Sequence, residues 1–248
     1  RQEQQMISLG ERNEGYLAKV GEPLIQFYGY KTCGVWNSAE EIAANPHFSD
    51  DAPGGIRIVD TNNDGSLTPE DRVALGTPYP DFTWGITNTF QIKDFDISFL
   101  IQGVQGITVL NGDVYYNETK KWNKKYTKNR WVSAEHPGDG KTPYQNVKTG
   151  HDLMLTDYPL QNASYACLRN FTVGYTLPAT AARKIKLSGV RFYVSGSNLL
   201  YIWGSGYKGI NPESRMTSGN YSSAMISGYQ RGGFPLTSTI SAGFDINF

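Results

Sequence analysis

Two neighbouring stretches of this chain alternate apolar and polar residues over a length of about ten positions each, with only Lys93-Asp94 between them. From Phe82 the even positions are Phe82, Trp84, Ile86, Asn88, Phe90 and Ile92. The odd positions are Thr83, Gly85, Thr87, Thr89, Gln91 and Lys93. Side chains point to opposite faces at successive strand residues, so this is a strand with one apolar face. The next stretch sets Phe95, Ile97, Phe99 and Ile101 against Asp96, Ser98 and Gln102, and the pair reads as a hairpin with a very short turn. Three more strands follow. Phe171, Val173, Tyr175 and Leu177 alternate with Thr172, Gly174 and Thr176 until Pro178. Val190, Phe192 and Val194 lead on to Leu200. Ile240, Ala242, Phe244, Ile246 and Phe248 alternate with Ser241, Gly243, Asp245 and Asn247. At about 3.3 Å per residue and a tilt near 40°, such strands cover about 25 Å, the apolar band of an outer-membrane barrel. Soluble sandwiches more often use strands of about five or six residues.

The connections alternate in length. Those at 93–94 and 178–189 are short, and those at 105–160 and 201–235 are long and are expected to be large loops. Outer-membrane barrels have short periplasmic turns and long extracellular loops, so strand 82–92 descends towards the periplasm and the segment before it lies outside the cell. Five strands cannot close a barrel, for which about eight is the practical minimum. In lipid each unpaired edge group costs several kcal/mol. The expected fold class is therefore all-β, the C-terminal part of a large antiparallel transmembrane β-barrel. Residues 1–81 are expected to form an extracellular loop region, in which 23–36 reads equally as a strand or as loop. Residues 82–248 carry the last five barrel strands. The chain starts at Arg1 with no signal-peptide pattern, as a processed protein or a piece of a longer one does.

Composition narrows the classes of function. The formal net charge is +0, which argues against a nucleic-acid partner. The 27 glycines and 16 tyrosines suit a turn-rich all-β protein. No apolar run is long enough for a transmembrane helix. Cys33 and Cys167 follow no metal spacing and read as unpaired thiols, with a disulfide in an oxidising compartment as the alternative.

Residues 60–71 read DTNNDGSLTPED, a twelve-residue calcium loop. Asp60, Asn62, Asp64 and Asp71 stand at positions 1, 3, 5 and 12, the Ser66 carbonyl at position 7, and Gly65 at the sharp turn of position 6. Ca²⁺ takes six to eight oxygens, and this spacing supplies most of them. With no helix pair to open, the ion is expected to stiffen an extracellular loop. The competing reading is an Asx-rich turn. Trp122, Lys124, Lys125, Tyr126, Arg130 and Trp131 form an aromatic and basic cluster, and Tyr115 and Tyr116 add two rings. Such rings stack on sugars or grip peptides, although a self-packed loop uses them equally well. Trp122, Tyr126, Arg130 and Trp131 are the candidate substrate contacts. The GSGYKG at 204–209 matches G-x-G-x-x-G but precedes Ile210-Asn211-Pro212 rather than a helix, so dinucleotide binding is not expected. His47, His136 and His151 are isolated, no catalytic motif occurs, and no enzyme activity is expected. Trp84, Phe90, Tyr175 and Phe248 fit lipid-facing or girdle positions.

The order VGEPLIQFYGY at 20–30, the loop at 60–71 and LGTPYPDFTWGITNTFQIKDFDISF at 75–99 resembles the C-terminal third of SusC-like TonB-dependent transporters. YACLRNFTVGYTLP at 165–178, VRFYVSGSNLL at 190–200, GINPES at 209–214 and the terminal Phe248 extend the resemblance. It implies a barrel of 22 strands with a plug, in the outer membrane of Bacteroidetes. It implies uptake of oligosaccharides or oligopeptides beneath a SusD-like surface lipoprotein, energised by TonB through an N-terminal region that this sequence does not contain. The remainder of the same barrel and outer-membrane lipid are the other expected partners. Phe248 resembles the C-terminal signal read by barrel-assembly machinery and would share an outward face with Phe244 and Ile246. A secreted, calcium-stabilised carbohydrate-binding β-sandwich is the principal alternative, and a passive porin the second.

Overall fold

The structure is a computed structural model and describes residues 4–9, 12–112, 128–144, 153–204, 206–214, 228–230 and 233–248. In chain order its strands are β1 (Gln4–Leu9), β2 (Arg12–Lys19), β3 (Gln26–Gly29), β4 (Thr32–Val35), β5 (Ile56–Ile58), β6 (Val73–Gly76), β7 (Phe82–Ile92), β8 (Phe95–Gln105), β9 (Thr108–Asn111), β10 (Leu160–Asn162), β11 (Tyr165–Thr176), β12 (Gly189–Trp203), β13 (Tyr229–Gln230) and β14 (Thr239–Asn247). Two short helices, α1 (Ala39–Ala43) and α2 (Ala179–Lys184), interrupt them. No helix among the described residues is long and apolar enough to cross a membrane.

The chain divides into two compact units. One comprises Pro80–Gly106, Ala163–Pro212 and Phe234–Phe248, and the other Arg1–Tyr79, Ile107–Asn162 and Glu213–Gly233. The division does not follow a single break at 81/82. Both long connections supply their middle parts to the unit that contains the first 79 residues.

The first unit is one antiparallel sheet in the order β14-β12-β11-β8-β7. Its five strands are those expected from alternation. β7 and β8 pair from Phe82↔Gln105 to Ile92↔Phe95 around Lys93-Asp94, and Lys93 adopts φ 54° to make the turn. β11 starts at Tyr165, six residues before its alternation is visible in sequence. A bulge at Arg169 shifts the register against both neighbours, so Ala166 and Leu168 share a face with Phe171 and Val173 despite the change of parity.

The second unit holds small sheets. β1-β2-β3-β6 form one, β10-β9-β13 another and β4-β5 a third. Residues 23–36 form β3 and β4, four residues each and too short to span a bilayer. The long connections are not free loops as expected. Ile107, Val109 and Leu110 are buried, and Thr108–Asn111 form β9, which pairs with β10 and, in parallel, with β13. Tyr16, Ile25, Phe27, Leu110, Met154 and Tyr229 make one core, and Tyr30, Ile56, Ile58 and Leu67 make a second. These cores draw on residues distant in sequence because no segment of the unit carries enough apolar surface alone.

Candidate functional site

Register determines the faces of the five-stranded sheet, because directly paired residues of antiparallel strands point the same way. One face is apolar in successive cross-strand rows. Nearest the short turns, Ile92, Phe95, Tyr175, Phe192 and Phe244 run across all five strands. The next row is Phe90, Ile97, Val173, Val194 and Ala242. The third row sets Phe99, Phe171 and Ile240 beside Asn88 and Gly196. Beyond it come Ile86, Ile101, Leu168 and Leu200, then Trp84, Gly103, Ala166 and Ile202. The Trp84 ring lies where a Cβ on Gly103 would stand, so the missing side chain is what seats the indole. The Phe95 and Tyr175 rings are 4.8 Å apart between centroids. This face is open: Phe95 keeps 47 % of its surface exposed and Phe244 64 %. Leaving so much apolar area in water forfeits about 25 cal/mol per Å², which points to a non-aqueous neighbour.

The opposite face is polar. Thr89, Ser98, Thr172, Ser195 and Ser241 form a complete row of hydroxyl side chains across the five strands. On the same face Arg191 binds Asp96 through Nη2–Oδ2 at 2.7 Å and Nε–Oδ1 at 3.0 Å, with Asp245 3.4 Å from Nη1. The bulge residue Arg169 donates from Nη1 to Asn198 Oδ1 at 2.7 Å and to the Tyr201 hydroxyl at 2.8 Å. Asn198 itself takes φ 55°. Cys167 is buried, Cys33 is exposed, and both are free thiols.

The loop at 60–71 folds around its own acceptors. Gly65 takes φ 86° and Asn63 φ 58°, giving the sharp turn that its sequence position demands. The Asp64 amide donates to Asn62 Oδ1 at 2.9 Å, the Ser66 amide to Asp64 Oδ1 at 2.8 Å, and the Gly65 amide to Asp60 Oδ2 at 2.8 Å. Asp71 is fully buried. Its Oδ1 accepts from the Thr61 amide and its Oδ2 from the Thr68 amide, each at 2.8 Å. Burial pushes the Asp71 carboxyl up, but amide donors from Thr68, Thr61 and Asn62 outweigh it and hold the group below the ordinary carboxylate range. The Asp60 side chain lies beside this carboxyl, and its Oδ1 is buried with no hydrogen-bond partner. Two neighbouring carboxylates with an orphaned oxygen call for a cation or a shared proton. Among the described residues no three His, Cys, Asp or Glu side chains converge closely enough to hold a metal. A cation here therefore needs the Asn62 amide oxygen and the Ser66 carbonyl as well as acids.

The aromatic candidates are placed only in part. Trp122 and Tyr126, with Tyr115, Tyr116, Lys124 and Lys125, lie outside the described residues, as does His151. Trp131 is engaged within its own unit. Its Nε1 donates to Asn37 Oδ1 at 3.0 Å, its ring stands edge-on to Tyr144 at 6.2 Å, and a Cβ on Gly54 would meet it at 2.6 Å. Arg130 lies 5.6 Å over the Tyr144 ring. Of the GSGYKG segment, Tyr207 packs edge-on against Trp203 at 6.2 Å, and no helix follows among the described residues up to Ser214. Phe244 and Ile246 are on the open apolar face through their pairing with Phe192 and Val190, and Phe248 is 93 % exposed. The row of hydroxyls and the Arg191–Asp96 pair escaped the sequence reading, because nothing local says which strands lie side by side.

No family model matches the chain. It is similar to the TonB-dependent receptor P26 of Formosa agariphila, 31 % identical over 239 residues, which cover 92 % of this chain and 23 % of that protein. It is 26 % identical over 208 residues to the TonB-dependent receptor SusC of Bacteroides thetaiotaomicron, covering 84 % of this chain and 19 % of the other. The chain thus spans about a quarter or less of the length of the curated relatives that it matches. Among solved structures, the RagAB peptide transporter superposes with a TM-score of 0.71 at 19 % identity, over 99 % of this chain and 24 % of that one.

Proposed function

The chain is homologous to SusC-like TonB-dependent receptors of the outer membrane, and from that premise we propose that it forms part of the barrel wall of a nutrient importer. One observation carries the reading: five long strands present a face that is apolar except at Asn88 and Gln105 to one side and a hydroxyl-rich, charged face to the other. Acyl chains suit the first and an aqueous interior the second. The cargo is an oligosaccharide or oligopeptide, captured with a SusD-like surface lipoprotein and imported at the expense of energy delivered by TonB. This chain contributes wall and connections to that process and no covalent chemistry. The sandwich alternative would need a second sheet over the apolar face, and none packs there among the described residues of that unit.

The loop at 60–71 is read as a structural Ca²⁺ site held by Asp60, Asn62, Asp64, the Ser66 carbonyl and Asp71. Bound calcium would neutralise Asp60 and Asp71 together and tie the turn to the buried end of the loop. The orphaned Asp60 oxygen supports this reading.

Purifying the full-length receptor in detergent from its native membrane tests the proposal. A co-eluting surface lipoprotein, with bound oligomers identified by mass spectrometry, is the expected result. A chain that stays monomeric and soluble without detergent would overturn it.

A further inference from the structure

Four described residues other than glycine have positive φ: Asn63, Lys93, Lys186 and Asn198. Asparagine enters the left-handed region readily, whereas lysine pays the usual Cβ penalty there. Both lysines stand in the two short connections at the same end of the sheet, Lys93 in the two-residue turn and Lys186 just past α2. Lys186 closes α2 where glycine is the usual residue. Its amide donates to the Arg183 carbonyl at 3.0 Å, and the Leu187 amide reaches back to the Ala182 carbonyl at 3.1 Å. A positive charge is thus kept at two positions where an uncharged residue would fit the backbone better.

The surroundings strengthen the pattern. Arg183 and Lys184 precede Lys186, all three are exposed, and none is ion-paired among the described residues. Asp94 is the one carboxylate in the two connections. α2 packs on β12 with Ala182 buried, while Ile185 between the cations is left 57 % exposed. Immediately beside these turns runs the row Ile92, Phe95, Tyr175, Phe192 and Phe244, the kind of aromatic band that marks a membrane–water boundary.

We propose that Lys93, Arg183, Lys184 and Lys186 form a binding surface for anionic phospholipid headgroups, with Ile185 entering the acyl region beside them. Long basic side chains reach headgroup phosphates while their stems stay in apolar surroundings. This rests on the barrel reading above, which fixes the short-turn end at a membrane surface.

The test uses the full-length receptor in detergent, native mass spectrometry, and phosphatidylglycerol against phosphatidylcholine as probes. The wild type is expected to retain phosphatidylglycerol preferentially. Lys93→Asn with Lys186→Gly is expected to cut that preference by about fivefold per cation removed, with the heat-unfolding temperature of the barrel unchanged or raised. Arg183→Ala with Lys184→Ala is expected to act in the same direction. Unchanged preference in both double variants would overturn the proposal. So would displacement of the lipid by millimolar inorganic phosphate, since the surface would then be a free-phosphate site. A wild-type receptor that failed to enter membranes at all would instead sink the barrel reading.

Discussion

Arg191 on β12 reaches across β11 to Asp96 on β8, and Gly174 is what lets it pass. A Cβ on Gly174 would collide with Asp96 Oδ1 and stand 2.5 Å from Arg191 Nη2. The two-point contact at 2.7 and 3.0 Å therefore ties the second strand of the sheet to the fourth over the backbone of the third. It lies on the polar face, in the row beside the hydroxyls of Ser98, Thr172 and Ser195. A guanidinium fork matched to a carboxylate fixes orientation as well as distance.

Gly174→Ala should break this bridge. The strand itself tolerates alanine, so the loss reflects the displaced ion pair and local overpacking, about 1–3 kcal/mol. The expected readout is a lower temperature for conversion of the folded to the unfolded band on heated electrophoresis. Gly85→Ala, where the nearest atom to a new Cβ is 3.8 Å away, should leave it almost unchanged.

Single cysteines carrying an environment-sensitive fluorophore at Phe95 and Phe244 should be quenched by nitroxide lipids. The same label at Ser98 and Ser241, on the other face, should be quenched by aqueous iodide instead. The reverse pattern, or protection of all four sites from both quenchers, would point to a stacked-sheet sandwich.

Calorimetric titration should detect calcium binding by the wild type in the range of about 10⁻⁴–10⁻³ M, the range of weak calcium modules. Asp60→Asn should weaken it by about tenfold or more, since a buried acidic oxygen is lost. Chelation should raise protease cleavage within residues 60–71. Absence of calcium uptake by the wild type would leave the loop an Asx-rich turn.

Trp131→Ala should act on stability before ligand affinity. Its ring fills the space left by Gly54, and its Nε1 holds Asn37. Loss of about 1–3 kcal/mol in that unit is expected, seen as faster proteolysis near residues 36–54. Trp131→Phe keeps a ring there and should cost about 1 kcal/mol, the worth of one hydrogen bond. Unaltered proteolysis together with loss of cargo binding would restore Trp131 as a substrate contact.

Much of this protein was legible along the chain because a strand repeats every two residues. Phe82 to Ile92 and Phe95 to Ile101 declare their apolar face through neighbours one and two positions away, and Lys93-Asp94 leaves room only for a tight turn. The spacing of Asp60, Asn62, Asp64 and Asp71 is likewise local, and so is the left-handed turn at Gly65. The stretch at 165–178 was legible as ordered chain, but the faces of Tyr165 to Leu168 were hidden because the bulge at Arg169 reverses parity, and that reversal makes sense only against the register of β8 and β12. The strand at 108–111 was masked by its brevity, and its partners at 160–162 and 229–230 lie far along the chain.

The local rules thus decided which residues share an apolar face and where the chain reverses. The tertiary structure decided which of those residues meet. Hydroxyls aligned over five strands, Arg191 joined to Asp96 above Gly174, and Asp60 facing Asp71 all depend on pairing between distant segments. Such pairing is set by hydrogen-bond register and packing, which no single stretch of sequence contains.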